Sequence, residues 1–305
     1  MASPNERTRR DWARKAAGWV ANEPVIDHAF AAFTEALLDR AALSGDDRVL
    51  DVGCGTGTLL EAASRLGAEA VGVDICATMV DAARTRVPAA LVVEGDAQDT
   101  DLLAAAPGRP FDAVVSRFGS MFFEDPVAAF SNIRAACAPG ASLTLATWRE
   151  GERNIFTFGL EHLLARLEDP PGPPAADRPG PMGLATGDHL GAVLVESGWE
   201  QVHLEALDAE CDYGFDGSDG VDQRLSAALA GTLGTELRRR IESDGGPGHF
   251  EMLLEETRRD PRADGRRSGA FHQPRLDRER QQPLDLSRHN RYRPPGDVWA
   301  TVRRP

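Results

Sequence analysis

Three aspartates stand where apolar runs end, and two of them bracket a glycine turn. In VLDVGCGTGTL, Val49 to Leu59, Gly53, Gly55 and Gly57 permit a tight turn and let a ligand approach the backbone, and Asp51 lies two residues ahead of them. The glycine spacing is GxGxG and not the dinucleotide GxGxxG, and a carboxylate at Asp51 repels a pyrophosphate while attracting a cationic amino group. Asp74 closes the next apolar run, VGVD, 21 residues after Gly53, where an acid can accept from both hydroxyls of a ribose. Asp96, in EGDAQD, can accept from the amino group of an adenine while Ala97 leaves room for the ring. Two plainer readings stay open: a structural strand-to-helix turn at the glycines, and a helix N-cap at Asp96.

A ligand that answers all three acids combines an adenosine with an ammonium, and S-adenosylmethionine carries both together with a sulfonium. The elements that must position such a site follow from hydrophobic patterning. Short runs rich in Val, Leu and Ala predict strands at Arg48 to Val52, Ala70 to Asp74, Ala90 to Glu94, Phe111 to Ser116 and Ser142 to Trp148, with helical patterns between them. Strands that are apolar almost throughout predict a parallel sheet covered on both faces, a doubly wound α/β core. Ahead of it, Ile26, Phe30, Phe33 and Leu37 predict a helix from Val25 to Leu38, and a second helix is expected over Asp11 to Val20. Asp125-Pro126 starts a helix that Pro139-Gly140 is expected to stop. Further helices are expected over Asn154 to Leu167, Thr186 to Ser197, Asp222 to Ser243 and Gly248 to Arg258, with a proline and glycine loop at Asp169 to Gly183 and a strand at Gln201 to Leu207. From Arg259 to Pro295 the chain is rich in Arg, Gln, Asp and Pro and is read as lacking regular structure, followed by one last strand, Val298 to Val302, at an edge of the sheet.

The 305 residues are 42% hydrophobic and 27% charged, an ordinary globular composition. No run is long and apolar enough for a membrane span, and the N-terminus lacks the apolar stretch of a secretory signal, so a cytoplasmic location is expected. Four cysteines without zinc spacing read as small buried hydrophobes, and no metal site is expected. Residues 257–305 hold 13 Arg against 6 acids, which leaves 21 basic against 42 acidic groups in residues 1–256. A body so acidic disfavours nucleic acid as a partner. Of the 34 basic residues only Lys15 is a lysine, which reads as coding bias.

On VLDVGCGTG, VGVD, EGDAQD, SRFGSMFFEDP with its helix, and LTLATW, the chain resembles the class I S-adenosylmethionine-dependent methyltransferases, and within them the small-molecule enzymes similar to the ubiquinone- and menaquinone-biosynthesis methyltransferases. The resemblance covers residues 11 to about 210 and extends to WARKAAGWVANE and DVWATVRRP, but not to Arg259 to Pro295. It implies a Rossmann-like methyltransferase fold with an N-terminal helical cap (1–44), a cofactor-binding core (45–150), a helical lid insertion with the remaining elements (151–258) and an Arg/Pro-rich tail (259–305). It implies that Asp51, Gly53, Gly55 and Gly57 surround the methionine moiety, Asp74 the ribose, Ile75 and Met79 the adenine face, Asp96 and Ala97 its edge, and that Ser116 and Arg117 border the methionine end. Ile75 and Met79, at i and i+4, equally suit a core.

Methyl transfer from a sulfonium requires chiefly alignment and exclusion of water, so no catalytic residue is assigned. His28 lies about 200° around its helix from Ile26, off the apolar stripe, and is expected in solvent. Trp12, Trp19, Phe122, Phe123 and Trp148 are candidates to line the site, Trp19 foremost, and equally candidates for packing in the cap. The expected acceptor is a small, aromatic or apolar metabolite, its identity and the oligomeric state being open. Two other functions are weighed: an NAD-dependent oxidoreductase, disfavoured by Asp51 and the glycine spacing, and a protein that binds S-adenosylmethionine without turnover.

Overall fold

The computed structural model describes residues 5–149, 160–170, 175–209, 211–230, 232–259 and 297–304. Three helices, α1 (Glu6–Ala21), α2 (Glu23–Ala29) and α3 (Ala31–Ala41), precede an alternating stretch of β1 (Arg48–Val52), α4 (Thr58–Arg65), β2 (Glu69–Asp74), α5 (Ala77–Arg86), β3 (Leu91–Glu94), α6 (Leu102–Ala105), β4 (Phe111–Arg117), α7 (Pro126–Ala135) and β5 (Cys137–Thr147). Beyond it lie α8 (Glu161–Leu164), α9 (Gly187–Glu196), β6 (Glu200–Leu207), α10 (Val221–Leu229), α11 (Thr232–Gly245), α12 (His249–Arg259) and β7 (Asp297–Arg303).

The strands form one seven-stranded sheet in the order β3-β2-β1-β4-β5-β7-β6. β1 to β5 run parallel, and β7 is antiparallel to both β5 and β6. This is the doubly wound, mostly parallel α/β fold that the patterning predicts. All five residues of β1 are buried because helices cover both faces. The strand order reverses between β1 and β4, which opens a crevice at their carboxyl ends, where open α/β sheets bind ligands.

The five parallel strands and β6 start and end within a few residues of their predicted positions, with one exception in the punctuation. Pro139 and Gly140 do not stop a helix: α7 ends at Ala135, and β5 already runs through both residues. The register jumps from Phe111↔Cys137 to Ala113↔Ser142, so the proline falls in the irregular stretch where the ladder does not require its missing N–H. At the helix start the reading holds, since the Asp125 side chain accepts from Ala128 N with Pro126 in the first turn.

Three helical expectations change. The first helix begins at Glu6, not Asp11. The helix expected over 25–38 is two, broken at Phe30, whose φ of -103° and ψ of 13° leave the helical region. Its hydrogen bonds bridge the break, Phe30 N to Ile26 O and Thr34 N to Phe30 O, which is why the apolar period shows no interruption. The span 222–243 is likewise divided into α10 and α11 at a point where the sequence carries Gly231 and Gly234. Of the helix expected over 154–167, only Glu161–Leu164 falls among the described residues, and residues 260–295 lie outside them.

Two apolar cores result. The larger spans the sheet with α2 to α5, α7 and α9. The smaller unites Leu160 and Leu163 with Val221 and Leu225 of α10, Leu237 and Ile241 of α11, and Phe250 and Leu253 of α12. No helix among the described residues is long and apolar enough to cross a membrane.

The last strand departs from expectation in position: β7 is not at an edge but lies between β5 and β6, paired along both sides. A chain ending at Gly296 is therefore expected to lose on the order of 3–5 kcal/mol, seen as a fall in Tm of roughly 10 °C or as failure to fold. Replacing residues 262–294 by a Gly-Ser stretch of the same length is expected to leave Tm within about 2 °C of the parent. Equal stability of the truncated and parent chains would refute the role assigned to β7.

Candidate active site

At the carboxyl ends of β1 to β4, beneath α1 and α10, lies a cavity of about 440 Å³. It brings together Asp51, Gly53, Gly55, Asp74, Ile75, Met79, Asp96, Ala97, Arg117 and Trp19 of the residues expected from sequence. Gly57 and Ser116 are not on its wall. Gly57, at φ 94°, is the N-cap of α4. Ser116 is buried, its hydroxyl donating to Val52 O at 2.8 Å and accepting from Ser120 N at 3.2 Å, so it ties β4 to β1. Both support the turn beside the cavity.

The turn after β1 is compressed against the one after β4. Gly53 has φ 67°, and a Cβ there would meet Gly119 Cα at 2.7 Å, so neither sterics nor backbone conformation admits a side chain. Gly55, at φ 53°, has nothing within 4 Å of where its Cβ would be, which leaves space beside the turn on the cavity side. Asp51, at the end of β1, is 1% exposed, and its Oδ2 has no hydrogen-bond partner among the described residues. Burial raises its pKa to about 8; the Arg117 guanidinium opposes that rise and the neighbouring Asp74 carboxylate adds to it. An orphaned, buried carboxylate oxygen on a cavity wall is matched by a cationic donor, which supports the ligand class expected from sequence.

Asp74 accepts from Gly55 N and Cys76 N, both at 2.9 Å, one on each oxygen. Burial outweighs these backbone donors and raises its pKa to about 6. Each oxygen keeps a second lone pair, so a ribose would share the carboxylate with the backbone. Asp96 is 3% exposed and is not a helix N-cap, a role that Asp101 takes by accepting from Ala104 N. Its carboxylate accepts from Gln98 N at 3.0 Å and from Asn5 Nδ2 at 2.9 Å on both oxygens. Asn5 also donates to Gln98 Oε1 and accepts from Glu124 N, so one buried side chain fastens the start of α1 to the ends of β3 and β4.

Arg117 closes a polar network behind the cavity. It donates to Thr34 Oγ1 at 2.6 Å, Asp27 Oδ1 at 3.2 Å and Thr58 Oγ1 at 3.3 Å. Asp27 also pairs with Arg86 at 2.6 Å, and Arg86 reaches Glu23 and Glu61. Burial alone would raise the Asp27 pKa, but the Thr58 hydroxyl and the Arg117 and Arg86 charges outweigh it and hold the carboxyl below its usual range. The network joins α2 to α4, α5 and β4, so Arg117 positions the cap as well as bordering the cavity.

The remaining wall is aromatic. Trp12 meets Trp19 and Phe122 edge to face at 5.5 and 5.4 Å. Phe118, at φ 62°, stacks on Trp148 at 4.1 Å. These rings line the cavity and pack the cap at once, as does Met79, which touches the cluster of Ala16 and Cys76. His28 is 44% exposed and lies beside Asp212, as its place on the helix predicts. The sequence reading missed Asn5, Thr8 and Lys15, which with Trp12 and Trp19 form one stripe of α1 at alternating spacings of three and four, and it missed Tyr213 and Arg224, delivered from beyond β6. The stripe was visible as a heptad pattern, but its polar members hid it from a search for apolar period.

Residues 50–145 match a family described as a methyltransferase domain. Over 109 residues the chain is 38% identical to a ubiquinone biosynthesis O-methyltransferase of Xanthomonas campestris pv. campestris, covering 35% of this chain and 45% of that protein. Over 126 residues it is 33% identical to a dTDP-3-amino-3,4,6-trideoxy-alpha-D-glucopyranose N,N-dimethyltransferase of Streptomyces venezuelae, covering 40% of this chain and 51% of that one. The chain thus matches about half the length of these curated relatives. Among solved structures, the phosphoethanolamine N-methyltransferase 2 of Haemonchus contortus in complex with S-adenosyl-L-methionine shares the fold, with a TM-score of 0.53 at 17% identity, over 100% of this chain and 60% of that one.

Asp51 carries a testable pH dependence. A carboxyl whose folded pKa, about 8, lies above its ordinary 3.8 keeps a proton that the unfolded chain has released. Between those values stability therefore falls as pH rises. Asp51→Asn cannot ionise, so its Tm is expected to match the parent near pH 4 and to exceed it by roughly 4 °C or more near pH 8. The same variant is expected to lose at least about tenfold in affinity for S-adenosylhomocysteine by calorimetry. A variant less stable than the parent at pH 8, or binding equally well, would contradict this account of Asp51.

Proposed function

We propose that residues 50–145, which match a methyltransferase-domain family, form a class I S-adenosylmethionine-dependent methyltransferase domain, and that the whole protein transfers a methyl group to an O, N or C atom of a small, largely apolar or aromatic metabolite. The observation that carries the reading is the unpartnered, buried Asp51 oxygen set between an open glycine turn and Asp74. When bound, S-adenosylmethionine supplies an activated methyl group on a sulfonium, so the protein's own task is alignment and exclusion of water. Asp51 would hold the ammonium end, which the absence of a side chain at Gly55 leaves room to approach. Asp74 would hold the ribose, Ile75 and Met79 the adenine face, and Asp96 with Ala97 its edge.

The aromatic wall of Trp12, Trp19, Phe122 and Trp148 supports an apolar or aromatic acceptor. By their names, the relatives above are an O-methyltransferase of ubiquinone biosynthesis and an N,N-dimethyltransferase of a dTDP-linked amino sugar, which supports small-molecule acceptors for this chain too. We read residues 1–44 as a cap, 45–150 as the cofactor core and 151–258 as carrying the lid, with α8 and α10 to α12 as its helical part. The separate core of those helices supports that division. A cytoplasmic site of action and no nucleic-acid partner fit the acidic body, whose charge over residues 1–256 comes from 42 acids against 21 basic groups.

Asp74→Ala removes a charged acceptor from the ribose site and is expected to weaken S-adenosylhomocysteine binding ten- to a hundredfold, about 1.5–3 kcal/mol. Unchanged affinity in a folded variant would refute the site. Transfer of tritiated methyl from labelled S-adenosylmethionine to a panel of quinols, phenols, amines and polyketides tests the activity. Binding without transfer to any of them would favour a protein that holds the cofactor without turnover.

A further inference from the structure

Among 34 basic residues the chain has one lysine, and that lysine lines the cavity. Coding bias accounts for arginine at every other basic position but not for the amine at this one. Lys15 is half-buried on α1, on the stripe that runs through Trp12 and Trp19, with its Nζ 6.0 Å from the centre of the Trp12 ring. Among the described residues its Nζ makes no ion pair or hydrogen bond.

An arginine at this place would offer the same charge but would never release its proton at neutral pH, whereas a lysine amine can be neutral and basic. The other titratable groups on the wall are each unsuited to take up a proton during turnover. Asp96 is held by Asn5 and Gln98, and Asp74 by two backbone amides. Asp51 is matched to the cofactor's cation. Arg117 and Arg224 are guanidiniums, and burial pushes both the Tyr213 phenol and the Cys54 thiol well above their usual ranges. His28 lies off the cavity beside Asp212.

We propose that Lys15 accepts the acceptor's proton during methyl transfer, and therefore that the acceptor is a protic nucleophile, an O–H or N–H compound, and not a tertiary amine or thioether. This rests on the methyltransferase reading above. As the acceptor's oxygen or nitrogen forms its bond to the methyl carbon, the carbon–sulfur bond breaks with its electron pair left on sulfur. The O–H or N–H proton passes to neutral Nζ, so the positive charge that the sulfonium loses ends on the lysine. Burial lowers the Lys15 pKa from the ordinary 10.5 and Arg14 adds to that, while Asp11 on the same helix opposes it. Across the cavity stand the carboxyl groups of Asp51, Asp74 and Asp96, the guanidiniums of Arg117 and Arg224, and the Tyr213 phenol.

The solitary lysine makes the test direct. Full-length protein labelled with isotopic lysine gives one side-chain resonance, which Lys15→Arg removes. With S-adenosylhomocysteine bound, that resonance is expected to titrate below 10.5, and titration at or above that value overturns the proposal. Lys15→Arg is expected to bind S-adenosylhomocysteine within about twofold of the parent and to lose about a hundredfold in kcat on the acceptor found in the transfer panel. The rise of the parent's kcat with pH through the lysine pKa is expected to vanish. In Lys15→Ala, methylamine added to the buffer is expected to restore part of the rate, as it would not for a packing defect. Wild-type kcat and pH profile in Lys15→Arg overturn the assignment. A parent protein that binds no S-adenosylhomocysteine, or methylates nothing in the panel, overturns the underlying reading instead, and the two failures are told apart by whether the parent itself binds and turns over.

Discussion

The site is organised around a carboxylate that the fold buries without compensation. Asp51 ends a strand whose residues are all inside, at the point where strand order reverses, and one of its oxygens has no partner among the described residues. Such a group costs stability by its desolvation, and the cost is recovered only when a cation enters. Its surroundings follow from that constraint. The glycines keep side chains out of the approach, the Gly53–Gly119 contact brings β1 and β4 close enough to narrow the crevice, and Arg117 tempers the charge from behind without reaching a direct hydrogen bond to it.

Arg117 has a second role that links the site to the cap. Its guanidinium is shared between Thr34 of α3, Asp27 of α2 and Thr58 of α4, and Asp27 passes the interaction on to Arg86 of α5. A network in which each member is satisfied by several others is rigid, and removal of one partner leaves a buried charge. The cap is thus fastened by ion pairs under α2 and, at the start of α1, by the Asn5 carboxamide together with Arg9, which donates to Ile75 O. The first includes Arg117 and the second Asp96, at separate ends of the row β3-β2-β1-β4.

Much of this was legible in the chain because the relevant signals are local. The five parallel strands, the Asp125-Pro126 helix start and the Asp51, Asp74 and Asp96 positions depend on residues adjacent in sequence. What was not legible depends on tertiary context. Pro139 reads as a helix stop unless the irregular pairing of β5 with β4 is known, and Ser116 reads as a ligand contact until its hydroxyl is seen to bridge β4 and β1. The heptad stripe on which Asn5 lies does not tell its role, since the four hydrogen bonds of its side chain go to residues 91 to 119 positions away. Lys15 was visible as a compositional oddity, and only its place on the cavity wall gives that oddity a chemical meaning.

The return of the chain through β7 explains how one sheet holds two walls of different origin. β6 does not pair with β5; the terminal strand lies between them, so everything from α10 to α12 is carried on an excursion whose ends are both anchored in the same sheet. That excursion reaches back over the strand ends, where Ser226 of α10 bonds Asn22 at 2.9 Å and Ala230 packs on Gly18 so closely that a Cβ at Gly18 would lie 3.0 Å from it. Tyr213 and Arg224 arrive at the cavity by this route, whereas the three acids arrive on β1 to β3. The cofactor wall is set by the parallel sheet and the opposite wall by helices with a core of their own. Sequence change in the second can reshape the acceptor side while the strand-end acids keep their geometry, because Leu225, Leu237, Ile241 and Phe250 pack in their own core, and Tyr213 and Ala227 link it to the larger one.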